Sequence, residues 1–254
     1  EVIKKTQSLR KANEKLEKLN VLKDDFISMA SHELKSPLNP IYGFVELAQN
    51  GDIGKEEALS GIAKQARQIE EVANKMLDIG RIDNHKLHLT MERFNLANLI
   101  LEITDSSRAN LSRNMQLVAK MPKNLEVEAD KIRIGQVIRN LVNNAIKFTT
   151  EGIIVINIDA DYTKNLVEVS VTDNGSGIHQ DVFPNLFNKF VTKGPKQENL
   201  EGTGLGLYLC KGIIESHKGT ISASNNETKG ATFRFKIPIN RQIKTSNMSD
   251  NIVN

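Results

Sequence analysis

Asp130-Lys131-Ile132-Arg133-Ile134-Gly135-Gln136-Val137-Ile138-Arg139-Asn140-Leu141-Val142-Asn143-Asn144-Ala145-Ile146-Lys147-Phe148 is the stretch on which the fold turns. Ile134, Val137, Ile138, Leu141 and Ala145 recur at three and four residues, the period of a helix with one apolar face. Asp130 stands where an N-cap belongs. Asn140, Asn144 and Lys147 share a second, polar face at the same spacing. Amide carbonyls suit a hard, oxygen-seeking cation such as Mg2+, and lysine suits phosphate. A solvated helix face fits the same pattern, so the flanking sequence has to decide between them.

On the C-terminal side, Ile153 to Ala160 and Leu166 to Thr172 are runs rich in β-branched residues, separated by Asp161-Tyr162-Thr163-Lys164-Asn165. They predict a hairpin. Asp173-Asn174-Gly175-Ser176-Gly177 follows, placing a carboxylate at the end of a strand and two glycines where backbone can pass close to a ligand. Gly202-Thr203-Gly204-Leu205-Gly206 then opens a helix from about Leu205 to His217, whose first amides and dipole suit phosphate, and Gly219 stops it. Thr220 to Ser224 and Ala231 to Pro238 predict a second hairpin around Asn225 to Gly230. Each glycine motif alone fits an ordinary turn; following the asparagine helix in order, they point to a nucleotide pocket. On the N-terminal side, His85 to Phe94 reads as a polar connector and Asn95 to Arg113 as a helix carrying Leu96, Leu99, Ile100 and Ile103. The sum is an α+β sandwich, helices on one face of a mostly antiparallel sheet.

Two long helices precede it. Leu9, Ala12, Leu16, Leu19 and Phe26 follow a coiled-coil seam that continues through Ala30, Leu34, Leu38, Ile41, Val45 and Ala48 to the turn at Gly51-Asp52-Ile53-Gly54. A second seam runs from about Lys55 through Leu59, Ile62, Ala66, Ile69, Ala73 and Met76 to Gly80. A single hairpin cannot cover apolar seams of this length, so the expectation is a dimer closing a four-helix bundle. At 100° per residue His32 lies opposite the mean direction of the first seam, so it faces solvent. Glu33 beside it offers a carboxylate that can fix one imidazole nitrogen and leave the other nucleophilic. Pro37 removes a backbone donor close to His32 and predicts a bend there. Ser36 lies one turn beyond His32 on the same face.

The stretch Ser31-His32-Glu33-Leu34-Lys35-Ser36-Pro37-Leu38-Asn39 resembles the phosphoacceptor box of the sensor histidine kinases of two-component signalling. Asn140 to Phe148, the Asp173 box, Phe187-Asn188-Lys189-Phe190 and the Gly202 box resemble the N, G1, F and G2 boxes of that family's ATP-binding domain. The resemblance covers residues from about 24 to 240. It implies an all-α helical hairpin, the dimeric four-helix bundle, followed by an α+β sandwich of Bergerat (GHKL) type. The expected domains are a coiled-coil signalling helix (1–23), a dimerisation and phosphotransfer hairpin (24–88), a catalytic ATP-binding domain (89–240) and a disordered tail (241–254).

By the same resemblance His32 takes the γ-phosphoryl of ATP and passes it to an aspartate of a response regulator, with Glu33 as the base. Ser36 stands where relatives carry the residue that dephosphorylates the regulator. Asp173 binds the adenine amino group, with Gly175 and Gly177 shaping its loop. Asn140 and Asn144 hold Mg2+, Lys147 meets phosphate, and Phe148 and Ile178 line the base pocket. Phe190 belongs to the F box, and Gly202, Thr203, Gly204, Leu205 and Gly206 belong to the phosphate-binding turn. Val191 to Glu201 is expected to form a lid. The related water-activating ATPases carry a glutamate four residues before the magnesium asparagine, where this chain has Asn140. Two other readings stand beside the kinase: a degenerate nucleotide-binding scaffold, and a water-directed ATPase.

Composition narrows the field. With 39% hydrophobic and 26% charged residues the chain is neither fibrous nor disordered, and a net charge of +3 is too small to point to nucleic acid as a partner. The one cysteine, Cys210, excludes an internal disulfide and, with no Cys/His cluster at metal spacing, suggests the cytoplasm. The chain begins with Glu, so the expectation is a piece of a longer protein whose sensor module, with or without a membrane anchor, lies outside it. His85, His88, His179 and His217 show no partner pattern and read as ordinary.

Overall fold

Helix α1 (Val2–Asn50) runs for 49 residues and continues through Pro37 and Pro40. It stops where Gly51 takes φ +80° and the Asp52 N–H returns to Leu47 O at 2.9 Å. A left-handed residue at this point costs least when it is glycine. Helix α2 (Lys55–Asp83) starts with Glu56 and Glu57 in its first turn, the favourable end of the dipole for acids, and the Asn84 side chain donates to Gly80 O at 2.7 Å at its close. A computed structural model describes residues 2–191 and 204–239 of the chain, in two compact units, Glu1–Asn84 and His85–Asn254. Within the first unit Ala58, Val72 and Ile79 are buried, while Leu38, Tyr42, Val45, Leu47, Leu59 and Leu77 stay exposed. Among the described residues no helix is long and apolar enough to cross a membrane.

The second unit contains β1 (Glu92–Asn95), α3 (Leu96–Ser107), β2 (Met115–Lys120), β3 (Glu126–Ala129) and α4 (Lys131–Phe148). It continues with β4 (Gly152–Asp161), β5 (Leu166–Thr172), α5 (Gly206–Ser216), β6 (Thr220–Asn225) and β7 (Ala231–Pro238). Five strands form one sheet in the order β2-β4-β5-β7-β6, and β1 pairs with β3 apart from it. Only the β2–β4 pairing in the larger sheet is parallel. Alternation puts Ile154, Ile156, Ile158, Val167, Val169, Val171, Phe235 and Ile237 on one face of this sheet, and all are buried. Helices α3, α4 and α5 pack together over the core. Ile134, Val137, Ile138, Leu141 and Val142 of α4 are fully buried, and each contributes about 1.5–3 kcal/mol of burial.

The α4 helix, both hairpins and α5 match the expected elements. Three strands do not. The expected connector from His85 to Phe94 ends in β1, and the stretch after the expected helix holds β2 and β3. In β1 only Phe94 is buried, and β3 alternates glutamate with Val127 and Ala129. Runs this short are set by distant partners more than by local preference. Helix α3 ends at Ser107 rather than Arg113, giving way to a 3-10 turn over residues 108–110, and Asn95 caps its start by accepting from Ala97 N–H at 2.9 Å. Most of the expected lid (192–201) and the expected tail (241–254) lie outside the described residues.

Candidate active site

On the hairpin, the His32 side chain is 83% exposed, and its Nδ1 lies 3.9 Å from Glu33 Oε1. That distance is in ion-pair range and too long for a hydrogen bond. Ser36 is exposed one turn further on. The solvent-facing position expected for His32 is therefore what the fold provides.

In the second unit the polar face of α4 meets the loop after β5 and the start of α5. Asp173 is only 4% exposed. Its Oδ1 accepts from Gly175 N–H at 2.8 Å and from Ala231 N–H at 3.2 Å. Burial raises its pKa above the ordinary carboxylate value, and these two donors partly offset the rise. Gly175 is required to be glycine, because a Cβ there would run into Phe148 O. Ser176 N–H also donates to Phe148 O at 3.3 Å, so the end of α4 and the Asp173 loop are joined through backbone. Phe148 and Ile178 are half-buried nearby in this chain of contacts, and Lys147 Nζ stands 5.4 Å from the Phe148 ring centre.

Asn140 packs against the first turn of α5, where a Cβ on Gly206 would come within 2.6 Å of its Oδ1. Its Nδ2 donates to Cys210 Sγ at 3.1 Å, which leaves the carbonyl oxygen as the atom available to a cation. Burial pushes the Cys210 thiol up to about 12, so it stays protonated and serves as a neutral partner. Asn144 is half-buried one turn along α4. Two amide oxygens fit Mg2+, which takes oxygen ligands and keeps much of its shell from water and phosphate. No group of three or more His, Cys, Asp or Glu gathers among the described residues. Among the described residues no side chain caps the start of α5, and Phe190 N–H donates to Gly204 O at 3.1 Å, tying the F box to the glycine turn. Leu205 is buried beneath that turn. Gly202 and Thr203 lie outside the described residues.

Comparison with known proteins identifies both units. Residues 22–85 match the His Kinase A (phospho-acceptor) domain, and residues 129–241 match the histidine kinase-, DNA gyrase B- and HSP90-like ATPase family. The chain belongs to the sensor histidine kinases of two-component signalling. The sensor histidine kinase TmoS of Ectopseudomonas mendocina is 31% identical over 244 residues, which is 93% of this chain and 25% of TmoS. The chain thus spans about a quarter of that relative's length. The catalytic domain of the histidine kinase ThkA is 35% identical, with a TM-score of 0.53, covering 59% of this chain and 97% of that one. A structure of ThkA in complex with the response regulator protein TrrA is 29% identical, with a TM-score of 0.57, covering 88% of this chain and 63% of that one. The expected fold class, a helical hairpin followed by an ATPase-type sandwich, is that of the histidine kinases, and the second unit carries the family's ATP-binding module.

The structure corrects one reading and adds four residues. His217 is not ordinary: it is 6% exposed, its Nε2 accepts from Asp130 N–H at 3.0 Å, and its Nδ1 lies 2.8 Å from Ile213 O. Its place four residues after Ile213 and eight after Leu209, in line with two buried side chains, was the sequence signal for this. Cys210, Asn225, Asn226 and Thr232 also hold parts of the site. No local pattern marked the two asparagines, whose partners lie about fifty residues away.

Proposed function

We propose that this chain is an ATP-dependent autokinase that phosphorylates His32 and then passes the phosphoryl group to an aspartate of a response regulator. The observation that carries the proposal is the outward imidazole of His32 with Glu33 beside its Nδ1. Glu33 accepts the Nδ1 proton and leaves Nε2 with its lone pair outward. Nε2 attacks the γ-phosphorus, the bond from that phosphorus to the β,γ-bridging oxygen breaks, and ADP leaves with the electron pair. Asp173 takes the adenine amino group, the loop at Gly175 and Gly177 lets the base approach, and Phe148 and Ile178 flank it.

Lys147 and the glycine turn from Gly202 to Gly206 hold the phosphates, and positioning accounts for most of the catalysis. Asn140 and Asn144 would hold Mg2+, which when bound neutralises triphosphate charge. Asn140 cannot accept a proton at neutral pH, so the position from which a base could activate water carries none. This favours retention of the γ-phosphoryl until His32 attacks. The exposed leucines of the hairpin support a homodimer through the helices, and the ThkA complex supports a response-regulator receiver domain as the second partner. Ser36, exposed one turn beyond His32, would orient a water that hydrolyses the regulator's aspartyl phosphate to aspartate and inorganic phosphate.

Incubation with γ-labelled ATP tests the proposal. Acid-labile, base-stable label that disappears in His32→Gln is the expected result. Undiminished label in that variant, or bound nucleotide with no label in the native chain, would overturn it. The second outcome is the signature of a scaffold.

A further inference from the structure

We infer that Asn225 and Asn226, at the β6–β7 turn, are positioning residues for base selection: they hold the Asp173 loop so that Oδ2 alone remains to receive a purine amino group. The inference rests on the reading of Asp173 as the adenine acceptor. It concerns two side chains that come from a different hairpin.

Asn225 spans the backbone of Ile178 with its amide. Ile178 N–H donates to Asn225 Oδ1 at 2.7 Å, and Asn225 Nδ2 donates back to Ile178 O at 2.9 Å. A side chain that serves both backbone groups of one residue does the work of a neighbouring strand where the loop has none. It also lies against Gly177, whose φ is +72° and where a Cβ would stand 3.0 Å from Asn225 Oδ1. Asn226 acts at the other end of the loop. Its Nδ2 donates to Asp173 O at 2.9 Å and to Lys229 O at 3.1 Å, while its Oδ1 accepts from Thr232 Oγ1 at 2.7 Å. Thr172 Oγ1 lies 3.0 Å from Thr232 Oγ1, so a hydroxyl chain leads from β5 through β7 into the Asn226 amide and on to the Asp173 carbonyl. Each bond in such a chain polarises the next.

Asp173 is consequently held on three sides by one hairpin. Its N–H donates to Ala231 O, its carbonyl accepts from Asn226, and its Oδ1 accepts from Ala231 N–H. A Cβ on Gly230 would collide with Asp173 O, so the hairpin approaches as closely as backbone permits. No described residue donates to Oδ2. A carboxylate clamped in this way discriminates by direction, because a base lacking the amino group leaves a buried acceptor unpaired.

The test compares dissociation constants of the full chain, with Mg2+ present, for ATP and for purine riboside triphosphate, which lacks the 6-amino group. Asn226→Ala and Asn225→Ala are expected to weaken ATP binding on the order of tenfold while leaving the purine analogue unchanged, so the preference collapses. Equal losses for both nucleotides, or no loss for either, would overturn the inference. Asn226→Asp keeps the shape and the bond from Thr232 but removes the donor to Asp173 O. It carries the same test should the alanine variant fail to fold. Asp173→Asn separates the two layers. Preference retained in that variant defeats the adenine reading, whereas preference lost there but kept in both asparagine variants defeats only the present inference.

Discussion

The hairpin and the sandwich solve opposite problems with the same twenty side chains. In the sandwich, Ile134, Ile138, Leu141, Ile154, Ile156 and Phe235 are sealed, and even its polar loops are tied residue to residue. In the hairpin, Leu59 is 66% and Leu77 60% exposed, and the His32 imidazole stands outside. The sandwich surrounds a fully buried core, although Ile132 on it is 74% exposed, whereas the hairpin buries few large apolar side chains of its own. His32 sits at the surface, and Asp173 sits in a loop buried against the β6–β7 hairpin.

The largest effects should separate the two units by function. His32→Gln is expected to abolish label while leaving the nucleotide dissociation constant within about twofold, since the nucleotide loop is built wholly within the second unit. Asp173→Asn should weaken nucleotide binding by about 10- to 100-fold, the worth of a hydrogen bond to a charged acceptor, and lose label with it. Isothermal titration of both variants checks this. Loss of nucleotide affinity in His32→Gln would mean that the units are not energetically separate.

A second contrast lies in stability. Ile138→Ala removes a fully buried side chain from α4 and should cost about 2–5 kcal/mol. Denaturant titration followed by circular dichroism should show the sandwich transition move. The same type of truncation at Leu77 should shift a single hairpin by no more than about 0.5 kcal/mol, as at other exposed sites. A charge at that position acts differently. Leu59→Glu with Leu77→Glu should convert a dimer to a monomer in sizing at micromolar concentration and leave nucleotide binding intact. A dimer that survives both charges would place the interface elsewhere.

The two units also differed in how much their sequences revealed. The α1 and α2 seams, the Gly51 stop and the outward His32 follow from local periodicity, because a helix is specified by residues within a few positions of one another. The same holds for α4, whose Asp130 cap accepts from Arg133 N–H at 3.0 Å as expected. Strand β2 was hidden because its place in the sheet depends on parallel pairing with β4, from Met115 opposite Gly152 to Lys120 opposite Asn157. Such pairing is set by packing of the chain as a whole, and although burial along β2 alternates, with Leu117 inside and Gln116, Val118 and Lys120 exposed, Val118 puts an apolar residue on the outer face and blurs the alternation in the sequence. The groups proposed for the nucleotide site stand in the sequence as asparagine, aspartate and glycine motifs in order. The residues that hold them, Cys210, Asn225, Asn226 and His217, were not marked as a group, because each acts through a bond to a distant element.

The smallest expected effect concerns His217, the counterpart in the sandwich of His32 on the hairpin. Its Nε2 accepts the Asp130 N–H, so the proton sits on Nδ1 and is donated to Ile213 O. The Asp130 N–H bond joins the end of α5 to the start of α4, where the Asp130 carboxylate also receives Thr90 N–H at 2.9 Å and Arg133 N–H. Burial lowers the His217 pKa, and the bond to Ile213 O and, after it, the nearby Asp130 carboxylate oppose that shift only in part. The folded value lies below the unfolded one of about 6.5, so the native state resists protonation. The resulting stability is present above that pH and is lost as pH falls through the folded value. A proton on Nε2 would turn the acceptor of Asp130 N–H into a second donor, which is why the bond cannot survive protonation. His217→Asn keeps a donor for Ile213 O but leaves Asp130 N–H unpaired, and should destabilise the sandwich by about 1–3 kcal/mol at pH 8. The difference from the native chain should narrow toward pH 5, because the native chain loses the same bond there. Urea titrations at several pH values measure it, and a gap that stays constant from pH 8 to 5 would show that the imidazole contributes by shape alone.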